Sequence, residues 1–296
     1  MNFDADSNYT ITIAEAAIID ERGGLRTVTF VVSDSYGEDV PADFGSTIDV
    51  AKTSSWSIEI KGGGSTDITT APGTSTYTYT ITNSGNFEDT YAFVTSSVND
   101  WFSTVDDVTV AYGGTADVDV IVTIPHVLAG TKDTWSVTST ATHETEDYQD
   151  VSGTTTVDTV TGHELTGDSD LSGDPGETVT YHFTVLNTGN AEEVYSYTVT
   201  ATNGWTALPV GDSFTLAMGA SETIAVTHTV PSNAGAGDDS TVTFTVVGGS
   251  NSEVTTTANQ VYELSVSAGT LTGLKPGESG TLSFTVTNEG NGFDTY

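Results

Sequence analysis

The stretch YHFTVLNTGNAEEVYSYTV, residues 181–199, sets two alternating segments on either side of one small polar turn. Tyr181, Phe183 and Val185 alternate with His182 and Thr184. A period of two puts the first set on the core face of a strand and the second on its outer face. Asn187 ends that strand, and Gly189 two positions later supplies the positive φ that a tight connection needs. The Asn187 side chain is placed to hydrogen-bond nearby backbone and to satisfy groups that the ladder leaves unpaired.

The same unit recurs as YTYTITNSGNFEDTY from Tyr77 and as LSFTVTNEGNGFDTY from Leu282. Tyr77, Tyr79 and Ile81, and again Leu282, Phe284 and Val286, take the core-facing places, while Thr78 and Ser283 match the outward His182. Asn83 with Gly85, and Asn288 with Gly290, repeat the turn. Each unit follows a Pro-Gly pair, at Pro72-Gly73, Pro175-Gly176 and Pro276-Gly277. Trp101 then matches Trp205, and Pro125 matches Pro231, each proline ending a strand and opening a loop that contains Ala-Gly.

A second register covers the later half of the unit. VTFVV from Val28, WSVTS from Trp135 and VTFTV from Val242 stand 107 residues apart each time, behind Gly23, Gly130 and Gly237. The chain therefore divides into the closing half of a repeat at 1–55, two complete repeats at 56–161 and 162–261, and the opening half of another at 262–296. Short segments rich in Val, Ile, Tyr, Phe and Thr, punctuated by Gly, Pro, Asn and Asp, predict about seven strands per repeat. The expected fold is all-β, a series of tandem immunoglobulin-like β-sandwich repeats of about 100 residues. At 296 residues the chain is long enough for two or three such cores.

Charge narrows the partners. Against 41 Asp and Glu stand 6 Lys and Arg, a formal net charge of −35 with no basic stripe to neutralise phosphates, so nucleic acid is not an expected partner. Such an excess suits salty water or abundant divalent cations and points to a marine or halophilic source; an acidic surface that only maintains solubility gives the same composition. With 0 Cys, disulfides, thiolate zinc sites and cysteine nucleophiles are excluded. No apolar run approaches the length of a membrane span, and MNFDADSNYT lacks the basic and apolar regions of a signal peptide. For an exported protein, the signal and any anchor would lie outside this chain or have been removed.

The run GETVTYHFTVLNTGNAEEVYSYTV (176–199), continued by NGWTALP (203–209) and LAMGASETIAVTHTVPSNAGAGDDSTVTFTV (216–246), resembles the immunoglobulin-like repeats of prokaryotic surface and secreted proteins. These include the cell-adhesion-related CARDB type and the module appended to some α-galactosidases. The resemblance covers residues 56–261 well and the two ends in part. It implies an extracellular β-sandwich used as spacer, adhesive or assembly module, and it carries no catalytic residues over to this chain.

Site chemistry is sparse. His126, His143, His163, His182 and His228 are scattered without ligand spacing, and the nucleophile-elbow, phosphate-loop and zinc-protease motifs are missing. No enzyme active site is expected. In GDSDLSGDPGE (167–177), Asp168, Asp170 and Asp174 surround Ser172 and Gly173 as in the first half of a calcium loop, which makes them the candidate calcium ligands. Val179 stands where the loop's closing Glu belongs, and an Asp-rich turn before Pro-Gly is equally an ordinary way to begin a strand. Trp101, Trp135 and Trp205 read as core rather than as a carbohydrate platform, and Trp56 lies near a repeat boundary. Asn8-Tyr9-Thr10 is the one N-glycosylation sequon, with Asn8 its acceptor. Lys52, Lys61, Lys132 and Lys275 share no core position, which argues against an isopeptide crosslink in every repeat.

A half sandwich exposes strand edges and an apolar face. Either the 262–296 segment of one chain meets the 1–50 segment of the next, or the polypeptide continues. Tyr296 corresponds to Tyr91 and Met1 to Val108, so a head-to-tail composite would lack the equivalents of residues 92–107, which favours a longer array. In both cases complementary ends give an open series. The expected function is an exported structural protein of a prokaryotic surface filament, stalk or layer, with self as partner. A ligand-binding adhesin and the non-catalytic spacer of a secreted hydrolase are the alternatives.

Overall fold

The computed structural model describes residues 24–33, 39–144 and 146–296, with side chains from residue 50 onward. All regular structure among them is β, and it divides into two compact units, Met1–Asp158 and Thr159–Tyr296.

In the first unit, β1 (Gly24–Ser33) and β2 (Asp39–Val50) pair antiparallel, with Val28 opposite Ser46. A sandwich follows, made of β3 (Trp56–Ile60), β4 (Asp67–Thr70), β5 (Gly73–Asn83), β6 (Asp89–Ser97), β7 (Val108–Val110), β8 (Thr115–Ile124), β9 (Lys132–Ala141) and β10 (Tyr148–Val157). One sheet is 3-stranded, in the order β3-β5-β8; the other is 5-stranded, β4-β10-β9-β6-β7.

The second unit repeats this plan with β11 (His163–Gly167), β12 (Leu171–Gly173), β13 (Thr178–Asn187), β14 (Glu193–Ala201), β15 (Thr206–Leu208), β16 (Gly211–Leu216), β17 (Ser221–Thr229), β18 (Asp239–Val246) and β19 (Asn251–Ala258). Its sheets run β11-β13-β17-β15 and β12-β19-β18-β14-β16.

These sandwiches carry more strands than the spacing predicts because the opening segment of each is split between sheets. β3 pairs antiparallel with β5 and β4 parallel with β10; β11 and β12 divide in the same way between β13 and β19. Between β3 and β4 the chain passes through Gly62 and Gly63, at φ of 77° and 69°. One crossing segment thereby covers an edge of both sheets, which would otherwise present unpaired backbone groups.

Alternation fills the space between the sheets. Tyr181, Phe183 and Val185 of β13 are fully buried with Val242 and Phe244 of β18. The Phe183 and Phe244 rings stack at 4.7 Å between centroids, and Tyr197 adds its ring to Phe244 at 4.8 Å. In the first sandwich Tyr79, Ile81, Val120, Val122, Trp135 and Val137 do the same work. Burying each such side chain contributes about 1.5–3 kcal/mol relative to exposure.

The second unit closes with β20 (Leu264–Ala268) and β21 (Phe284–Asn288), paired antiparallel with Val266 opposite Val286. Here the sequence-based expectation of core residues fails. Phe284 and Val286 are 60% and 53% exposed, whereas their counterparts Phe183 and Val185 are fully buried. The hairpin has the inward set of a sandwich but, within its unit, no second sheet over that face.

Candidate interaction sites

The Asn-x-Gly-Asn turn occurs three times, at 83–86, 187–190 and 288–291, with the same side-chain bonding at its first asparagine. Asn187 is fully buried; its Nδ2 donates to the Ala191 and Leu216 carbonyls at 2.8 and 3.0 Å, and its Oδ1 accepts the Gly189 N–H at 2.8 Å. Asn83 repeats the set with the Phe87 and Val110 carbonyls and the Gly85 N–H. Asn288 bonds the Gly292 carbonyl and the Gly290 N–H. One amide side chain thus fills the space that the backbone ladder vacates at the turn.

The glycines serve a different purpose from the one their spacing predicts. Gly85, Gly189 and Gly290 are outside the set of residues with positive φ. A Cβ on them would instead stand 2.6, 2.6 and 2.3 Å from the carbonyl oxygens of Thr53, Val160 and Val261. The turn lies against the segment that leads into the sandwich, and only glycine permits that approach. Tyr195 adds a bond from its hydroxyl to the Gly162 carbonyl, and Tyr296 one to the Glu263 carbonyl.

The calcium candidates occupy the crossing segment between β11 and β13, and each is engaged in its own direction. Asp168 Oδ2 accepts the His182 N–H at 2.8 Å and faces His182 Nδ1 at 3.1 Å; the backbone bond, followed by the ring contact, holds its carboxyl below the usual carboxylate range. Asp170 Oδ1 accepts the Thr255 N–H at 2.7 Å. Asp174 Oδ1 accepts Asn259 Nδ2 at 2.8 Å. Asp168 therefore faces β13, while Asp170 and Asp174 face β19 and the residues after it. Among the described residues no group of three or more His, Asp or Glu side chains is gathered as a metal site. Asn8 lies outside the described residues.

Trp101, Trp135 and Trp205 are 6%, 1% and 9% exposed, so the indoles are packing elements. His182 is exposed on the outer face of β13. His228, in contrast, is fully buried on β17, with Nδ1 2.7 Å from Thr256 Oγ1 and its ring 5.4 Å from the Trp205 ring. Burial pushes its pKa down from the usual imidazole value. A count of histidines and their spacing misses it; the alternation of Val226, His228 and Val230 is the signal that would have placed it inside. Among the described residues no helix is long and apolar enough to cross a membrane.

No family model and no curated protein matches the chain. Solved structures match weakly. A protein of unknown function from Porphyromonas gingivalis W83 is 12% identical over 68% of this chain and 99% of its own length, with a TM-score of 0.26. A Salmonella α-2-macroglobulin reacted with methylamine is 10% identical over 83% of this chain, which spans 19% of that protein, with a TM-score of 0.28. The YadV chaperone is 11% identical over 68% of this chain and 98% of its own, with a TM-score of 0.25. At these values the similarities carry no argument about family or activity.

Proposed function

We propose that the chain is a structural protein built from tandem immunoglobulin-like repeats, exported to a prokaryotic surface and joined end to end into a filament, stalk or layer. One observation carries this reading: the apolar face of the β20–β21 hairpin. Leu264, Val266, Phe284 and Val286 are all exposed there, in positions that a complete sandwich fills from its second sheet. Soluble proteins avoid a continuous apolar face with open strand edges unless something covers it. The natural cover is the strand pair that the same repeat uses elsewhere, of the kind that β1 and β2 form, from the continuing polypeptide of a tandem array or from another copy of this chain. Joining of unlike faces in this way propagates as an open series. The net charge of −35 keeps the remaining surface hydrated and disperses unjoined copies.

Sedimentation velocity over a hundredfold concentration range tests it. The chain is expected to form a ladder of multiples of 30.8 kDa, and Phe284→Asp to collapse the ladder to its first step. A wild-type chain that stays at 30.8 kDa at the highest concentration contradicts the proposal.

A further inference from the structure

The second asparagine of each turn is bonded unlike the first. Asn291 donates its backbone N–H to the Val261 carbonyl at 3.3 Å and accepts the Val261 N–H on Oδ1 at 2.7 Å. Its Nδ2 donates to the Asn259 carbonyl at 2.8 Å and to the Ala234 carbonyl at 3.2 Å. Its own carbonyl accepts the Ala236 N–H at 3.0 Å. The side chain's one acceptor and two donor positions are all in use.

The partners belong to two places. Asn259 and Val261 lie on the segment leaving one sandwich; Ala234 and Ala236 lie on the loop between its β17 and β18. Gln260 adds a bond from Nε2 to the Phe293 carbonyl at 3.0 Å. Gly292 makes the approach possible, since a Cβ there would stand 2.7 Å from Ala236 Cβ.

The hold on the connecting segment recurs at the other two turns. Asn86 Oδ1 accepts the Thr53 N–H at 2.9 Å, Asn86 N–H donates to the Thr53 carbonyl at 3.2 Å, and Nδ2 donates to the Ala51 carbonyl at 2.9 Å. Asn190 exchanges the same pair of bonds with Val160, at 2.7 and 2.9 Å. In every case the groups held are backbone, so the residues of the connecting segment are free to differ, as Thr53, Val160 and Val261 do.

We infer that the second asparagine of the Asn-x-Gly-Asn turn is an inter-repeat clasp, and that the loop 231–238 together with residues 259–261 is a built docking surface for the turn of the following repeat. The first asparagine shapes the turn; the second fastens it to the chain it follows. A connecting segment held in this way cannot swing freely, and within the second unit the Asn291 side chain fastens the β20–β21 hairpin to the 231–238 loop of the sandwich before it. Asp in its place lacks the donors and Gln is a methylene too long. The clasp is intramolecular and stands whether or not copies of the chain associate.

Amide hydrogen exchange on the intact chain, read by NMR at a concentration too low for association, tests the clasp. Asn291→Ala is expected to speed exchange of the Val261 amide about tenfold or more, the change set by one hydrogen bond of ordinary strength, with the Val226 amide of the sandwich core unchanged. Asn86→Ala is expected to do the same at Thr53. Unchanged exchange at Val261 with the core intact overturns the inference. Where Asn291→Ala also loosens Val226, Gly292→Val reads the junction with the asparagine still present. It is expected to speed exchange at Ala236, and an unaltered Ala236 amide there overturns the inference as well.

Discussion

The two sandwiches share a strand order, save that β15 edges the second where the first has only a Phe102–Val122 bridge, and the cross-strand pair at their centres shows how differently that order is filled. On the first, Trp135 of β9 stands opposite Gly153 of β10; on the second, Val242 of β18 stands opposite Val254 of β19. The indole is 1% exposed and stacks on Phe102 at 5.1 Å, with Tyr79 edge-on at 6.3 Å. A Cβ on Gly153 would stand 2.8 Å from the indole and 1.9 Å from the Thr66 carbonyl oxygen. One sandwich thus concentrates its volume in a single large ring and a glycine, where the other spreads it over two valines and the Phe183–Phe244 stack. Strand order and alternation tolerate this exchange because what a sandwich fixes is the total volume between its sheets, not its division among residues.

The largest effect on that comparison is expected from putting the second sandwich's residue into the first. Trp135→Val should destabilise the first unit by about 4 kcal/mol, the scale of an indole lost from a packed core. Adding Gly153→Val should deepen the loss instead of restoring the second sandwich's arrangement, because the obstacle is the Thr66 backbone. Urea unfolding followed by the near-ultraviolet signal of Trp101, which packs in the same core, measures both; recovery in the double variant would show that the two cores are interchangeable.

A smaller effect is expected where the sandwiches agree. Asn187→Ala leaves the Gly189 N–H and the Ala191 and Leu216 carbonyls without their side-chain partner, a loss of roughly 3 kcal/mol, and Asn83→Ala should match it in the first unit. Markedly unequal losses, read as shifts in urea midpoint, would mean that the shared turn carries different weight in the two repeats.

Much of this was legible from the chain alone. Alternation in YHFTVLN placed Tyr181, Phe183 and Val185 inside, and the recurrence of the turn located the other units. Four features were not. The split of each opening segment between two sheets leaves no mark on alternation, since both pieces are short. The turn glycines looked like positive-φ positions because spacing reports a need for glycine without saying whether conformation or close approach creates it. The grip of Asn86, Asn190 and Asn291 acts on backbone some thirty residues earlier in sequence, and backbone acceptors have no residue signature. The carboxylates of Asp168, Asp170 and Asp174 read as one loop in sequence yet face different strands, because alternation along an extended segment separates neighbours.

The smallest expected effect lies at another place where the two cores differ: His228 occupies the position held by Val122 in the first sandwich. Its pKa is lowered by burial, so below about pH 6.5 the unfolded chain binds a proton that the folded one does not. The second sandwich should lose stability as pH falls through that value and gain nothing further above it. His228→Val should remove this part of the slope, and Thr256 Oγ1 keeps its contact with the Tyr181 hydroxyl at 2.7 Å. Between pH 7.5 and pH 5 the urea midpoint of the unsubstituted chain is expected to fall further than that of His228→Val; equal slopes would refute the assignment.

The central claim, that these repeats are parts of an end-to-end structural assembly, is tested most directly by electron microscopy of the native material. The account predicts linear particles longer than two sandwiches, with a period of roughly 35 Å set by strands of about ten residues. A field of separate particles no longer than two sandwiches, at every concentration and salt, would contradict it.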